Sequence, residues 1–211
     1  MQCGGERSID RMTLVLAVGL VVTGGCSGSD SGDAPEIDAR AAAAYAMEHV
    51  DENKDGSIEK SELADNPALA AALPSFDASG DGRLDANEIA GGLTRMYASR
   101  TSLTEMTCTV TRSGRPLVGA KVRLSPIEML GQALPSAEGV TDESGTAHPG
   151  VSAEFVPSEF KDKALMYPGL YRVEITHDQL QLPSRYNTAT ELGCQVNPLA
   201  RDGMSARFDL K

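Results

Sequence analysis

The chain has few of the residues on which most catalytic sites depend. Its 211 residues include no tryptophan, and His49, His148 and His177 are the only histidines. These three show no metal-ligand spacing, and the sequence contains no His-Glu-x-x-His, Gly-x-Ser-x-Gly or glycine-rich phosphate loop. We therefore interpret the histidines as surface residues and predict that the protein is not an enzyme. An enzyme that uses the long segments 125–139 and 150–168 is the alternative left open.

Positive charge is also scarce. The chain has 19 Lys and Arg against 30 Asp and Glu, which gives a net charge of −11, and no stripe of basic residues is present. This excludes nucleic acid as an expected partner. Residues 51–62 and 77–88 each carry a net charge of −3, so these two short segments hold much of the acidity.

The two acidic segments share one pattern of oxygen-bearing side chains. Each reads Asp-x-[Asn/Ser]-x-Asp-Gly-x-[Ile/Leu]-x-x-x-Glu and resembles the calcium loop of EF-hand proteins. Calcium takes six to eight oxygen ligands, and a glycine at position 6 (Gly56 and Gly82) permits the sharp turn that the loop requires. We predict two calcium sites; a pair of plain acidic turns is the alternative.

The predicted ligands follow from position in the loop. Positions 1, 3, 5 and 12 supply side-chain oxygens, position 7 supplies a backbone carbonyl, and position 9 coordinates directly or through water. Ile58 and Leu84, at position 8, are predicted to form a short β-bridge between the loops. The ligands are Asp51, Asn53, Asp55, Ser57, Glu59 and Glu62 in the first loop and Asp77, Ser79, Asp81, Arg83, Asp85 and Glu88 in the second.

The amino-terminal part carries a hydrophobic run at residues 12–25, with Arg7 and Arg11 before it and Cys26 directly after it. Fourteen residues are too few to span a bilayer, and the pattern is typical of a signal peptide. It resembles a bacterial lipoprotein signal, which implies cleavage after residue 25, lipidation of Cys26, and export to the cell envelope or surface with a membrane anchor. Ordinary secretion with a free Cys26 is the alternative. Residues 26–37 are predicted to be a flexible tether.

Helices are predicted around both loops. Asp38 can cap a helix over residues 39–50, and Asn66 can cap a second helix that begins at Pro67. We expect Pro74 to kink or end this second helix. Because of Pro74 and the serine at position 79, we expect the second calcium site to be the weaker one. An exit helix is predicted over residues 86–100.

From residue 105 onward the hydrophobic pattern alternates with a period of two. This alternation is predicted around residues 106–111, 118–124, 171–176, 192–196 and 204–211, and it indicates strands with one buried face in an antiparallel sandwich. Residues 113–114 and 142–145 are turn signals.

Three segments of this region resemble carboxypeptidase regulatory-like domains. They are the Gly-x-Pro-Leu-x-Gly-Ala-x-Val-x-Leu stretch at 114–124, the Thr-Asp-x-x-Gly turn at 141–145 and the Pro-Gly-x-Tyr-x-Val strand at 168–173. The resemblance covers about residues 105–211. It implies a transthyretin-like sandwich of about seven strands without catalysis, a fold found on bacterial surface lipoproteins, planctomycete ones among them.

The predicted fold class is therefore α+β in two domains, with a small all-α EF-hand pair followed by an antiparallel, transthyretin-like β-sandwich. The predicted boundaries are 1–25 for the signal peptide, 26–37 for the tether, 38–100 for the EF-hand pair and 101–211 for the sandwich. Cys108 and Cys194 lie on inward phases of their strands and are a possible disulfide in an exported protein; two buried thiols are the alternative.

The sequence thus favours a calcium-binding, lipid-anchored cell-surface or periplasmic protein with a structural or interaction role. Its expected partners are calcium, the membrane and an unidentified surface protein or polysaccharide. A second hypothesis is a calcium-responsive switch that exposes a groove for a partner, for which Met47 and Met96 on the flanking helices give weak support.

Overall fold

The computed structural model describes residues 1, 36–98, 103–131 and 134–211. These residues form three α-helices, α1 (Ala39–His49), α2 (Pro67–Phe76) and α3 (Ala86–Ala98). They also form ten strands: β1 (Ser57–Ile58), β2 (Leu84–Asp85), β3 (Thr107–Arg112), β4 (Arg115–Pro116), β5 (Ala120–Pro126), β6 (Ala137–Val140), β7 (Thr146–Ala147), β8 (Gly169–His177), β9 (Gly193–Val196) and β10 (Ser205–Leu210). Short 3-10 helices lie at Glu62–Asp65, Glu128–Leu130, Ala153–Phe155, Ser158–Phe160 and Ser184–Tyr186.

Helices α1 and α2 start at the predicted residues but differ in how they are capped. The Asp38 carboxylate accepts hydrogen bonds from the N–H groups of Arg40 and Ala41, both at 3.0 Å, which confirms the predicted cap of α1. Helix α2 begins at Pro67 as predicted, because a proline in the first turn loses no helical hydrogen bond. The predicted side-chain cap is wrong, since Asn66 makes no capping hydrogen bond and its Nδ2 instead donates to the Glu62 carbonyl at 3.5 Å. Helix α2 continues through Pro74 to Phe76, so Pro74 does not end it.

The strands form three sheets. Strands β1 and β2 make a two-stranded antiparallel sheet between the acidic loops. Strands β6, β5, β8 and β9 form an antiparallel sheet in that order, and β10, β3 and β4 form another, in which β7 also pairs with β3. Strand β10 runs parallel to β3 over its full length, from Ser205 opposite Thr107 to Leu210 opposite Arg112.

Helix α2 packs directly on the sheet formed by β6, β5, β8 and β9. Helix α2 lies against β8 and β9, and a Cβ at Gly193 in β9 would come within 2.3 Å of Ala68 N and of the Pro67 carbonyl carbon. Glycine is required there because any side chain would push α2 away from the strand. The buried residues of the helices and of the sheets belong to one continuous hydrophobic cluster.

Polar contacts reinforce this packing at three points. The Ser75 hydroxyl on α2 donates to Gln195 Oε1 on β9 at 2.8 Å. The Tyr45 hydroxyl on α1 donates to Glu128 Oε2 at 2.7 Å. The Tyr97 hydroxyl on α3 donates to the Pro168 carbonyl at 2.9 Å.

The predicted fold class is wrong. The described chain is mostly β-structure in several sheets with only three α-helices, rather than a small all-α EF-hand pair followed by an antiparallel sandwich of about seven strands. The acidic loops themselves supply β1 and β2, and the β3–β10 pair is parallel. Hydrophobic periodicity identified strands but contained no information on which strands pair or which sheet α2 covers.

Strand phases agree well with the alternation except at one residue. Met106, Cys108, Val110, Tyr171, Val173 and Ile175 are all buried, as predicted. The alternation at 118–124 puts Val118 in phase with the buried residues 120, 122 and 124, but Val118 is 49% exposed. It precedes Gly119, whose φ of 75° places it in a turn before β5 begins at Ala120.

Candidate metal centre

The first acidic loop, residues 51–62, follows α1 and closes around Asp51. The Asp51 side chain is buried, and its carboxylate accepts hydrogen bonds from the N–H groups of Asp55 at 3.3 Å and Gly56 at 3.0 Å. Gly56 has a φ of 90°, which favours glycine. The predicted turn at position 6 is therefore present, and it directs backbone N–H groups at the carboxylate of position 1.

Glu62 closes the first loop from the other end. Its Oε1 accepts from the N–H groups of Glu52 at 2.9 Å and Asn53 at 3.2 Å, and its Oε2 accepts from Glu59 N–H at 2.8 Å. These hydrogen bonds, first that from Glu59 and then that from Asn53, lower the pKa of Glu62 below its ordinary value. The position-12 carboxylate is thus ionised at neutral pH and reaches back to the start of the loop.

The second loop, residues 77–88, repeats the position-1 contacts. The Asp77 carboxylate accepts from the N–H groups of Gly80 at 2.6 Å, Asp81 at 3.2 Å and Gly82 at 2.9 Å. Partial desolvation raises the pKa of Asp77, but these hydrogen bonds together outweigh it and leave the pKa below its ordinary value. Gly82 has a φ of 80°, close to that of its counterpart in the first loop.

Glu88 closes the second loop as its counterpart closes the first. It accepts from the N–H groups of Ala78 at 3.1 Å, Ser79 at 2.9 Å and Asp85 at 3.2 Å. These donors occupy loop positions 2, 3 and 9, the same three positions that bond the terminal glutamate of the first loop. The two loops differ in sequence but share one pattern of backbone hydrogen bonds to the position-12 glutamate.

A short antiparallel bridge joins the loops. Ile58 pairs with Leu84, and Ser57 pairs with Asp85. Ile58 and Leu84 are both fully buried, as their place at position 8 predicted. The bridge fixes the two loops back to back, so that residues of one loop lie opposite residues of the other.

The loops differ in how closely their carboxylates approach one another. In the second loop, ligand oxygens of Asp77, Asp81 and Glu88 all lie within 4.8 Å of one another. Among the residues that the structure describes, this is the one group of His, Cys, Asp or Glu side chains close enough to hold a metal ion. The carboxylates of the first loop are hydrogen-bonded in the same way, but their oxygens do not approach one another this closely.

The charged neighbour of the first loop is the guanidinium of Arg83. Its Nη1 lies 3.0 Å from Glu59 Oε1 and 3.8 Å from Asp55 Oδ2. Sequence reasoning assigned Arg83 only a backbone carbonyl ligand and missed this contact. The signal was available, because extending the antiparallel register beyond the Ile58–Leu84 pair places Arg83 opposite Glu59.

Asp85 has a second role that sequence reasoning also missed. Its Oδ1 accepts from Glu88 N–H at 2.8 Å while Glu88 accepts from Asp85 N–H, which is a reciprocal capping arrangement at the start of α3. The Asp-x-x-Glu spacing could have revealed it. At the matching positions of the first loop, Glu59 pairs with Arg83 instead.

The remaining predicted ligands lie on the loop rims. Asn53 Oδ1 accepts from Asp55 N–H at 2.8 Å, and Asp55 Oδ1 accepts from the N–H and hydroxyl groups of Ser57, both at 2.9 Å. These bonds, led by that from the Ser57 hydroxyl, lower the pKa of Asp55. Asp81 makes the corresponding bond with Arg83 N–H at 2.9 Å. Every group is a hard oxygen donor, so the donor set of both loops fits calcium.

The two described cysteines lie on different sheets. Cys108 in β3 and Cys194 in β9 are buried and unbonded. Burial raises the pKa of Cys108 to about 12 and also raises the pKa of Cys194. As free thiols, both would therefore be protonated and unreactive at neutral pH. Their disulfide stays a prediction.

A cleft of about 400 Å³ is lined by the end of α1, the start of α2, residues 125–129 at and after the end of β5, and two residues of β8. His49 is in its wall, where the imidazole stacks on Tyr45 at 3.9 Å between ring centroids and Nδ1 lies 2.9 Å from the Tyr45 carbonyl. His148 and His177 lie elsewhere, and the His177 Nε2 contacts the Val118 carbonyl at 2.9 Å. The structure does not bring the three histidines together.

The signal run, Cys26 and nearly all of the tether lie outside the described residues. Within those residues, none of the helices combines the length and the apolar character that crossing a membrane requires. No protein-family model, curated protein or solved structure matches the chain.

Proposed function

We propose that this chain is a calcium-binding protein whose two loops, residues 51–62 and 77–88, are EF-hand-type calcium sites. The observation that carries the proposal is the repeated scheme: in each loop the residues at positions 1 and 12 accept hydrogen bonds from equivalent backbone N–H groups. The β1–β2 bridge then joins the loops into one unit. Plain acidic turns would have no reason to share these contacts.

Calcium in this unit has a structural role. Each loop carries a net charge of −3, and a bound divalent cation would relieve the repulsion between its carboxylates. The flanking helices are already packed: Met96 is fully buried, and Met47 packs against the same core. A calcium sensor would need these side chains to become exposed when calcium binds. Their packing is therefore better explained by calcium that stabilises the loops than by a calcium-responsive switch.

The proposed location is the cell envelope or surface, with a lipid anchor at Cys26. This part rests on the signal-like run and on the cysteine that follows it. The protein would then interact with the membrane through the anchor and with a surface protein or polysaccharide. Extracellular calcium modules bind in the range of about 10⁻⁴–10⁻³ M, which is suited to a permanently loaded structural site.

A calcium titration of the full chain tests the proposal, with heat release, thermal unfolding and binding of a hydrophobic dye followed together. We expect heat from two sites, a rise in the unfolding temperature and no dye signal. The matched control is the double variant Glu62→Gln/Glu88→Gln, which removes one charge from each loop and should lose the heat. No heat and no stabilisation at about 5 mM calcium would overturn the proposal, whereas dye binding in step with calcium would favour the switch.

The anchor is tested separately in a bacterial host. Cys26→Ser should move the protein from the detergent phase to the aqueous phase on phase partitioning and abolish incorporation of a labelled fatty acid. A Cys3→Ser variant controls for loss of a thiol near the amino terminus. Unchanged partitioning and labelling in Cys26→Ser would exclude an anchor at that residue.

A further inference from the structure

The register of the β1–β2 bridge sets position 7 of each loop against position 9 of the other. Ser57 is paired with Asp85, and continuing from the Ile58–Leu84 pair sets Arg83 opposite Glu59. In the first case a small neutral side chain faces an acid. In the second a guanidinium faces one, at 3.0 Å from Glu59 Oε1 and 3.8 Å from Asp55 Oδ2.

Only the first loop therefore has a cation of the chain itself on two of its predicted calcium ligands. The second loop has none among the described residues, and its Asp77, Asp81 and Glu88 oxygens already lie within 4.8 Å of one another. In the first loop, Glu59 at position 9 lies 3.0 Å from the guanidinium and Asp55 at position 5 lies 3.8 Å from it. The ion pairs of Arg83 and the close approach of the second-loop carboxylates are separate observations. Both favour tighter calcium binding at the second loop than at the first.

We propose that Arg83 is an affinity-setting residue that weakens calcium binding at the first loop, so that the second loop fills first. This inference rests on the proposed function. A calcium ion entering the first loop is repelled by the guanidinium and must share Asp55 and Glu59 with it. Arg83, Asp55 and Glu59 are partly exposed, so solvent and salt screen the effect and limit it to about fivefold in affinity. The order is the reverse of the one predicted from Ser79 and Pro74.

The test measures each site alone by calorimetry on the full chain with calcium chloride. Glu88→Gln leaves the first site, and Glu62→Gln leaves the second. We expect the second site to be the tighter one. Arg83→Gln should strengthen the first site about fivefold in the Glu88→Gln background and change the second site less than twofold. Position 7 coordinates through its backbone carbonyl, so Arg83→Gln keeps the ligand atom.

Lys60→Gln is the matched control. Lys60 lies at position 10 of the first loop, is exposed, and makes no ion pair with the described residues. Like Arg83→Gln, the Lys60→Gln variant removes one positive charge from the paired loops, but Lys60 contacts no predicted ligand. Its effect on the calcium affinity of the first site should therefore stay below twofold. The Arg83 effect should also shrink between 20 and 500 mM potassium chloride, because screening weakens the pair.

The exchange Ser57→Arg/Arg83→Ser places the guanidinium opposite Asp85 and should reverse the order of filling. Equal effects of Arg83→Gln and Lys60→Gln, or weaker binding at the first site in Arg83→Gln, would overturn the inference while leaving calcium binding intact. Absence of calcium heat in the unsubstituted chain would instead show that the proposed function itself has failed. The two failures are therefore distinguishable.

Discussion

The two acidic loops hold the same backbone contacts and differ in what lies across the bridge from them. In both, the position-1 aspartate accepts from the N–H groups at positions 5 and 6, and the position-12 glutamate accepts from those at positions 2, 3 and 9. The second loop adds one bond, from Gly80 N–H to Asp77. At position 9, however, Asp85 caps helix α3, whereas Glu59 pairs with an arginine of the other loop. Asp85 thus bonds to the helix that follows it, whereas Glu59 bonds to the neighbouring loop.

This difference shows that a motif fixes the shape of a loop but not its electrostatic surroundings. Glycine at position 6 and the terminal glutamate act within a dozen residues, and both loops therefore close alike. The charge facing each loop comes from the partner segment and depends on the register of β1 and β2. A calcium affinity cannot be read from a single loop when two loops are paired.

The largest expected effect comes from the shared bridge. Ile58→Ala and Leu84→Ala each remove a fully buried side chain, and each should lower the free energy of unfolding by about 2–4 kcal/mol. Urea unfolding in the presence of a chelator measures this. Val140→Ala, at a side chain that is 59% exposed, is the control and should change stability by less than about 0.5 kcal/mol. A large loss at only one of the two bridge residues would mean that the loops are not one unit.

A smaller effect should separate the two position-9 acids. Without calcium, Asp85→Ala removes the cap of α3 and should cost about 1 kcal/mol. Glu59→Ala removes an exposed ion pair and should cost only about 0.3 kcal/mol. The comparison is made by urea unfolding of the two variants under identical conditions. An equal cost for both would contradict the assignment of different roles to the two acids.

The smallest effect concerns pH in the absence of calcium. Hydrogen bonds hold the pKa values of Asp55 and Glu62 in the first loop, and of Asp77 in the second, below their ordinary values. The stabilisation is therefore present above the unfolded pKa values of about 3.9–4.3 and is lost as pH falls through the lower folded values. Urea midpoints between pH 7 and pH 3 should decline, and the decline should be shallower in Glu62→Gln and in Asp77→Asn. A midpoint that rises with acid would refute this interpretation.

The local parts of the site could be predicted from the sequence because local chemistry determines them. The cap at Asp38, the turns at Gly56 and Gly82 and the burial of Ile58 and Leu84 each depend on a few adjacent residues. The role of Arg83 required one further step, since it depends on the register of a bridge whose paired residues are 26 and 28 positions apart in sequence.

The arrangement of the larger sheets could not be predicted in the same way. Strand β10 pairs with β3 across almost a hundred residues, and nothing in the alternation of either strand specifies a parallel partner. Val118 shows the opposite problem: the alternation continues through a turn, so a residue outside the strand is in phase with its buried face. The contact of α2 with Gly193 is of the same non-local kind.

The contact between α2 and Gly193 has a consequence for the evolution of the chain. If recombination joined residues 36–98 to a different sheet, the new strand would need a glycine at the position that packs against Pro67 and Ala68. Any other residue there would separate the helix from the strand. Helix α2 and strand β9 are thus expected to diverge as a matched pair, and a change in either contact surface would be retained only with a compensating change in the other.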